Sequence, residues 1–166
     1  TLWNRRSAMQ RAPHITGYLT EHCEHDAYGT LAGYRERGGY ATAQQALRGQ
    51  SPEQIIDTLR EAGLQGRGGA GFITGQKLSF MPELEGERPH YLVCNADESE
   101  PGSFKDRLLM ERAPHLLLEG ILLAAFAIRA EKTFLYVRGE YALSAARVER
   151  AIAEARERGY LGERIC

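Results

Sequence analysis

The sequence has little cysteine. Cys23, Cys94 and Cys166 form no C-x-x-C pair and no even set, which argues against a disulfide framework and for a reducing compartment. It has no charge excess either. Lys plus Arg number 21 against 22 Asp plus Glu, a net of −1, so nothing suggests a polyanion as partner and no nucleic-acid role is expected. It has no long apolar run. The longest, residues 116–128, holds Glu119 and Gly120, and a membrane-spanning helix needs roughly 20 apolar residues, so no membrane insertion is expected. No signal-peptide pattern stands at the start, where Trp3-Asn4-Arg5-Arg6 leads into polar sequence.

Glycine is what the chain has in excess: 18 in 166 residues, against a usual share of about 7%. Six of them (Gly63, Gly66, Gly68, Gly69, Gly71 and Gly75) fall within 13 residues. With 43% hydrophobic and 26% charged residues, the remainder reads as an ordinary globular chain. There is no initiator Met, and the chain stops at Ile165-Cys166. It reads as a piece of a longer polypeptide.

The pattern along the chain divides it in two. Residues 1–27 read as an irregular arm, followed by short helices over 28–37 and 41–48. The region 50–166 reads as one α/β unit. Ser51, Pro52 and Gln54 spell a helix start with a capping box, and Gly63 supplies its C′ position. A short helix or strand is expected over 77–81, and a charged surface turn over 83–89. Residues 90–94 read as a buried strand, 104–112 as a helix, 115–130 as a buried helix, and 133–137 as a second strand. Residues 141–158 read as a surface helix with Leu143, Ala146, Val148, Ile152 and Ala155 turned inward. Strand, helix, strand, helix is the grammar of a parallel βαβα unit. Ligands bind such units beyond the carboxyl ends of the strands, here residues 95–100 and 138–141.

Candidate chemistry concentrates in two places. In Gly66-Arg67-Gly68-Gly69-Ala70-Gly71-Phe72, the spacing G-x-G-x-x-G follows a helix rather than a strand, so it is no dinucleotide fingerprint. No Gly-Lys-Ser/Thr makes it a Walker loop. Its bare backbone still lets N–H groups converge on a ligand. Arg67 and Lys77 offer cations for phosphate, and Phe72 and Phe80 offer flat faces. A flexible surface loop is the alternative. The second place is Asn95-Ala96-Asp97-Glu98-Ser99-Glu100, whose amide and carboxylates can hydrogen-bond a heteroaromatic ring or ribose hydroxyls and tune a redox group. A solvated turn capping the next helix is equally open. Lys105-Asp106-Arg107 reads as a structural ion-pair set. Glu140 and Tyr141 are either site residues or a helix cap. His22, Cys23 and His25 lack a fourth ligand, so no metal site is expected. His90 and His115 read as packed or surface histidines.

Taken in order, these segments resemble a known family. Residues 63–72 with Thr74-Gly75-Gln76-Lys77, then Asn95-Ala96-Asp97-Glu98-Ser99-Glu100-Pro101-Gly102-Ser103-Phe104-Lys105-Asp106-Arg107, Pro114-His115-Leu116 and Arg138-Gly139-Glu140-Tyr141 are similar to the FMN- and NADH-binding flavoprotein subunit (51 kDa-type) of NADH:quinone oxidoreductase, respiratory complex I. The resemblance spans residues 33–164. It extends to the diaphorase subunits of NAD-linked hydrogenases and formate dehydrogenases. It implies a Rossmann-like three-layer α/β/α FMN-binding domain with a parallel sheet, preceded by a helical N-terminal region.

It also implies hydride transfer from NADH to FMN, then single electrons to iron–sulfur clusters toward quinone. Gly66, Arg67, Gly68, Gly69, Ala70 and Gly71 would line the pocket. Phe72 and Phe80 would stack near the adenine, and Lys77 would approach as a cation. Asn95, Asp97 and Glu98 would hold the flavin, and Glu100 would meet the nicotinamide end, with Glu98 and Glu100 as the catalytic pair. Gly139 and Glu140 would complete the cofactor contacts. Implied partners are other subunits of a multi-subunit complex, including a 24 kDa-type iron–sulfur subunit. The implied location is a peripheral arm on the cytoplasmic face of a bacterial inner membrane, or the matrix face in a eukaryote. The family's 4Fe–4S cluster would have no ligand in these residues, and the isolated piece would be inactive. Three positions depart from the family: Ile73 replaces Pro, Leu78 replaces Trp, and Gln65 replaces Arg. A non-catalytic nucleotide-binding or assembly module is the competing reading.

Overall fold

The structure, a computed structural model, describes residues 19–83, 88–162 and 165. Most of the expected arm, residues 1–18, and the core of the expected 83–89 turn lie outside the described residues. A 3₁₀ turn, Asp26–Gly29, opens the described part. Helices α1 (Leu31–Glu36) and α2 (Ala41–Gly49) follow, then α3 (Pro52–Glu61) and a five-residue α4 (Thr74–Leu78). Next come β1 (His90–Ala96), α5 (Lys105–Arg112), α6 (Pro114–Ala127), β2 (Ala130–Val137) and α7 (Ala142–Glu157).

Local chemistry sets several boundaries. At α3 the Ser51 side chain accepts the Gln54 N–H, and the Gln54 side chain returns to the Ser51 N–H, with Pro52 at the first turn. Beyond its end, Gly63 takes φ +61°, where a side chain would be strained. Helix α4 starts at Thr74, three residues ahead of the expected start. It can do so because Gly75 lies flat on α3: a Cβ there would sit 2.4 Å from the Arg60 backbone nitrogen. Helix α6 ends earlier than its apolar run suggested. Arg129 turns left-handed at φ +52°, and Ala130 already belongs to β2.

β1 and β2 pair in parallel, with Val93 opposite Phe134 and Asn95 opposite Tyr136. The α/β class with parallel strands is therefore present. Helix α6 touches both strands and packs against α5 and α7. On the covered side, Ala96, Leu135 and Val137 meet Met110 and Val148. The opposite side carries Tyr91, Val93, Phe134 and Tyr136, all exposed. Thus β1, expected as a buried strand over residues 90–94, is covered on one face only. Among the described residues no helix lies over the other face.

The inward face of α7 also differs from expectation. Leu143 and Ala146 are exposed, and Ser144, Val148, Ala151 and Ala155 are buried. The polar Ser144 goes inside because Glu111 of α5 receives its hydroxyl at 3.0 Å. Val148 and Ala155 of the expected face are buried and Ile152 packs against both cores, so the difference lies in the first turns of the helix, where Ser144 takes the inward place expected of Leu143.

A second core binds the first helices to this unit. Tyr28, Leu31, Tyr34 and Tyr40 pack with Leu118, Ala151, Ala155 and Tyr160. Each fully buried large apolar side chain contributes about 1.5–3 kcal/mol. The Tyr40 ring stacks on Tyr160 at 4.1 Å. At its centre is Glu119, buried in the apolar α6. Its carboxylate accepts the N–H groups of Tyr40 at 2.8 Å and Ala43 at 3.0 Å, and the Tyr34 hydroxyl. A residue of α6 thus caps the first turn of α2.

Candidate functional site

The glycine loop leaves α3 and returns to α4 as a small closed turn. Gln65 and Ile73 form an isolated antiparallel bridge. Gly66 N–H donates to the Phe72 carbonyl at 2.9 Å, and Thr74 N–H to the Leu64 carbonyl at 2.7 Å. Between these bonds, the N–H groups of residues 67–71 donate to no group among the described residues. The loop takes left-handed backbone at Gly69 (φ +140°) and Gly71 (φ +65°). Gly68 is different, because its φ is ordinary and nothing lies within 4 Å of a Cβ built there. Neither backbone geometry nor the chain's own packing calls for glycine at that position.

Aromatic rings flank the loop. Phe72 and Phe80 lie 6.1 Å apart and are 47% and 66% exposed, unusual for adjacent phenylalanines and suited to a flat ligand. Lys77, one turn before Phe80, and Arg67 form no ion pair among the described residues.

The polar segment lies at the carboxyl end of β1. The Asn95 side chain accepts the Asp97 N–H at 2.9 Å, and Asp97 accepts the Ser99 hydroxyl at 2.8 Å. Glu100 opens a tight turn through Pro101 and Gly102, closed by Ser103 N–H on the Glu100 carbonyl at 3.1 Å. Gly102 is left-handed at φ +82°, and Glu100 is left exposed.

Glu98 points the other way. It is 4% exposed. Its carboxylate accepts the Asp106 N–H at 3.0 Å and the Arg107 N–H at 3.1 Å, with the Lys105 ammonium at 3.6 Å. Burial pushes its carboxyl up. The two N–H groups and the ammonium outweigh that and hold it below the usual carboxylate range. This side chain is engaged by the first turn of α5.

From the end of β2, Arg138 crosses to the same segment. It donates to the Glu98 carbonyl at 2.9 Å, joined there by the Tyr141 hydroxyl at 3.3 Å. Arg138 also pairs side-on with Glu140, at 3.2 and 3.3 Å. That hydrogen bond comes first among the causes that lower the Glu140 carboxyl. The structure therefore brings residues 95–100 and 138–141 together at the strand ends, as parallel topology requires. No hydrogen bond, ion pair or ring contact joins either to the glycine loop among the described residues.

The remaining candidates resolve simply. Lys105 pairs with Asp106 at 2.6 Å. His115 is fully buried, and His90 donates from Nδ1 to the Ile128 carbonyl at 2.7 Å. No group of three metal-ligating side chains occurs among the described residues, and no described helix is long and apolar enough to cross a membrane. A cleft of about 390 Å³ lies at the amino ends of the strands, lined by Glu53, Ile56, Leu78, Met81, His90 and Arg129. It is away from the strand-end cluster and borders the end of α4, where Leu78, Ser79 and Met81 alternate with Lys77 and Phe80 of the first cluster. Sequence reasoning undervalued Arg138, which it treated only as a landmark. Its place one residue past a strand, ahead of Gly139-Glu140, was the available signal.

A family model described as the Nuo51 FMN-binding domain matches residues 59–165, which include the glycine loop and both strand ends. The chain belongs to this family. It is 54% identical to the F component of the NADH-quinone oxidoreductase of Escherichia coli (strain K12) over 132 residues, 80% of this chain and 30% of that protein. It is 49% identical to the Aquifex aeolicus counterpart over 132 residues, with the same coverage. The Mycobacterium tuberculosis (strain H37Rv) counterpart is 45% identical over 161 residues, 93% of this chain and 36% of that protein. The chain thus spans about a third of the length of these relatives. A crystal structure of NAD+-reducing NiFe-hydrogenase in the H2-reduced state superposes with TM-score 0.61 and 43% identity, over 70% of this chain and 20% of that one.

Proposed function

We propose that this member of the Nuo51 family is part of the NADH-oxidising subunit of a respiratory NADH dehydrogenase, passing a hydride from NADH to FMN and then single electrons to iron–sulfur clusters toward quinone. The observation that carries this reading is the glycine loop. Five consecutive main-chain N–H groups are uncommitted among the described residues, and Gly68 lacks a side chain for no reason internal to the fold. Donors in that arrangement suit phosphate oxygens, and open space over bare backbone suits a ligand lying against it. The residues present fit FMN and NADH.

Bound FMN would supply the conversion between two-electron and one-electron transfer, with the protein providing placement and electrostatics. Residues 66–71 would cradle the cofactors through the backbone, and Arg67 and Lys77 would balance phosphate charge. Phe72 and Phe80 would receive the adenine. Asn95 would present its amide NH2 as donor and Asp97 its carboxylate as acceptor to the flavin. Glu100, exposed at its turn, would meet the nicotinamide, while Gly139 and Glu140 would close the side beyond β2. Glu98 would serve through the backbone it anchors. The rest of the parent protein would bring the loop and the strand ends to one cofactor and would hold the 4Fe–4S cluster. Partners would be other subunits of the electron-transfer complex, a 24 kDa-type iron–sulfur subunit among them, on a peripheral arm at the cytoplasmic face of a bacterial membrane.

The test is the full-length protein. It should be yellow, take up FMN after flavin removal, and reduce ferricyanide with NADH. A colourless protein that takes up no added FMN overturns the reading. The structural similarity to NAD+-reducing hydrogenase favours a second reading, a diaphorase subunit. Reduction of NAD+ by hydrogen in the native complex, with no quinone reductase activity, would select it.

A further inference from the structure

We propose that Arg138 is a positioning residue for the cofactor segment. Its guanidinium holds the Glu98 carbonyl from one side while the Glu98 carboxylate grips α5 on the other, so that Asp97 and Glu100 are fixed between two anchors. The proposal rests on the flavin and NADH reading of residues 95–100.

The geometry is economical. Arg138 Nη1 reaches the Glu98 carbonyl at 2.9 Å, and Nε and Nη2 reach the two carboxylate oxygens of Glu140. One rigid plane therefore ties together two segments that lie 40 residues apart. The guanidinium carbon lies 5.3 Å from the centre of the Tyr141 ring, within cation–π range, and the Tyr141 hydroxyl is the second donor to the same carbonyl. On the far side, Asp106 and Arg107 N–H groups occupy the buried Glu98 carboxylate. Residue 98 is thus held at both its main chain and its side chain. Asp97 is tied to the end of β1 through its N–H on Asn95, whereas Glu100 has no bond to the body of the protein beyond its own turn among the described residues, so the course of the segment from Asp97 to Glu100 depends on residue 98. A lysine at 138 could reach the carbonyl but could not also hold Glu140 side-on. Ordering a site in advance of its ligand lowers the cost of binding.

The experiment uses the full-length flavoprotein with Arg138→Met, Arg138→Lys and Tyr141→Phe. Three quantities are read: FMN affinity by fluorescence titration of deflavinated protein, the flavin midpoint potential, and NADH KM against kcat. Amide exchange of residues 97–103 is followed without added cofactor. Arg138→Met should weaken FMN binding about tenfold, the scale of one charge-assisted hydrogen bond. It should also shift the potential and speed exchange at Asp97 and Ser103. Arg138→Lys should recover part of each change, and Tyr141→Phe should shift each less, in the same direction. Wild-type exchange in all variants overturns the proposal, whether or not FMN binds. So do unchanged affinity and potential, or losses that only track a lowered Tm of the apoprotein. Should Arg138→Met not fold, the near-isosteric Tyr141→Phe decides. A wild type that binds no FMN sinks the functional reading alone, and the exchange data still judge the anchor.

Discussion

At the scale of single residues, two positions separate what a side chain is from what it does. The family resemblance has Glu98 touch cofactor as one of two catalytic carboxylates. In the fold its carboxylate is buried against α5. Removing it leaves two first-turn N–H groups of α5 without their acceptor, so Glu98→Ala should cost about 0.5–2 kcal/mol, the scale of a lost helix cap, measured by urea unfolding. Because its folded carboxyl lies below the ordinary value of 4.5, the stability it contributes is fully present above pH 4.5. It is lost as the pH falls through the lower folded value. A Tm profile from about pH 6 to about pH 3 should therefore be flatter in Glu98→Gln than in wild type. Ile73 is the second case. Its φ of −64° suits proline, and its N–H donates to nothing among the described residues. Ile73→Pro should stabilise by about 0.4–1 kcal/mol through the unfolded chain, seen as a raised Tm with an unchanged circular dichroism spectrum. The family's proline is thus compatible with this backbone, and isoleucine leaves the loop entrance less constrained.

At the scale of elements, the junction of α1 and α2 with α6 and α7 is polar at its heart. With the proton on Nε2, His115 donates to Glu154 at 3.1 Å and accepts from the Tyr40 hydroxyl on Nδ1 at 3.1 Å. Glu154 also accepts the Leu31 N–H at 2.8 Å. Tyr34 stacks on the His115 ring at 5.9 Å, and Arg150 lies beyond Glu154, pairing with it at 3.6 Å. Burial, with a smaller push from Arg150, lowers the His115 pKa against the pull of Glu154. The unfolded chain then binds a proton near pH 6.5 that the folded chain refuses. Stability should fall as pH drops below about 6.5 and hold above it. His115→Gln should be less stable at about pH 8 and should lose that slope, as measured by denaturant titration at several pH values. Glu119→Leu removes the acceptor for the N–H groups of Tyr40, just ahead of α2, and Ala43, in its first turn, and for the Tyr34 hydroxyl. It should loosen α2 ahead of global unfolding, visible as faster amide exchange at Tyr40 and Ala43. The capping box of α3 was legible because all its partners lie within three residues. The cap of α2 was not, because its acceptor comes from 76 to 79 residues away.

At the scale of the whole molecule, a parallel strand pair normally has both faces covered. Here Tyr91, Val93, Phe134 and Tyr136 stand open on one of them, an association liability for a chain that spans about a third of its relatives. The 166-residue chain on its own should self-associate with concentration. Phe134→Lys should raise its monomer fraction by sedimentation, with little change in Tm because the side chain is already exposed. The βαβα order, the α3 cap, the glycine loop and the polar strand end were readable from sequence, since each rests on spacing along the chain. The order of strands also placed residues 95–100 beside 138–141. Tertiary structure alone decided which face of each element is buried, turning Ser144 inward and leaving Leu143 outside. It also decided which carboxylates are open to a ligand. Glu98 and Glu100 are two residues apart and chemically identical, yet one is buried against a helix and the other exposed at a turn. Composition and spacing cannot distinguish them, because the difference is set by Arg138, Tyr141 and the first turn of α5, partners that only folding brings within hydrogen-bond reach.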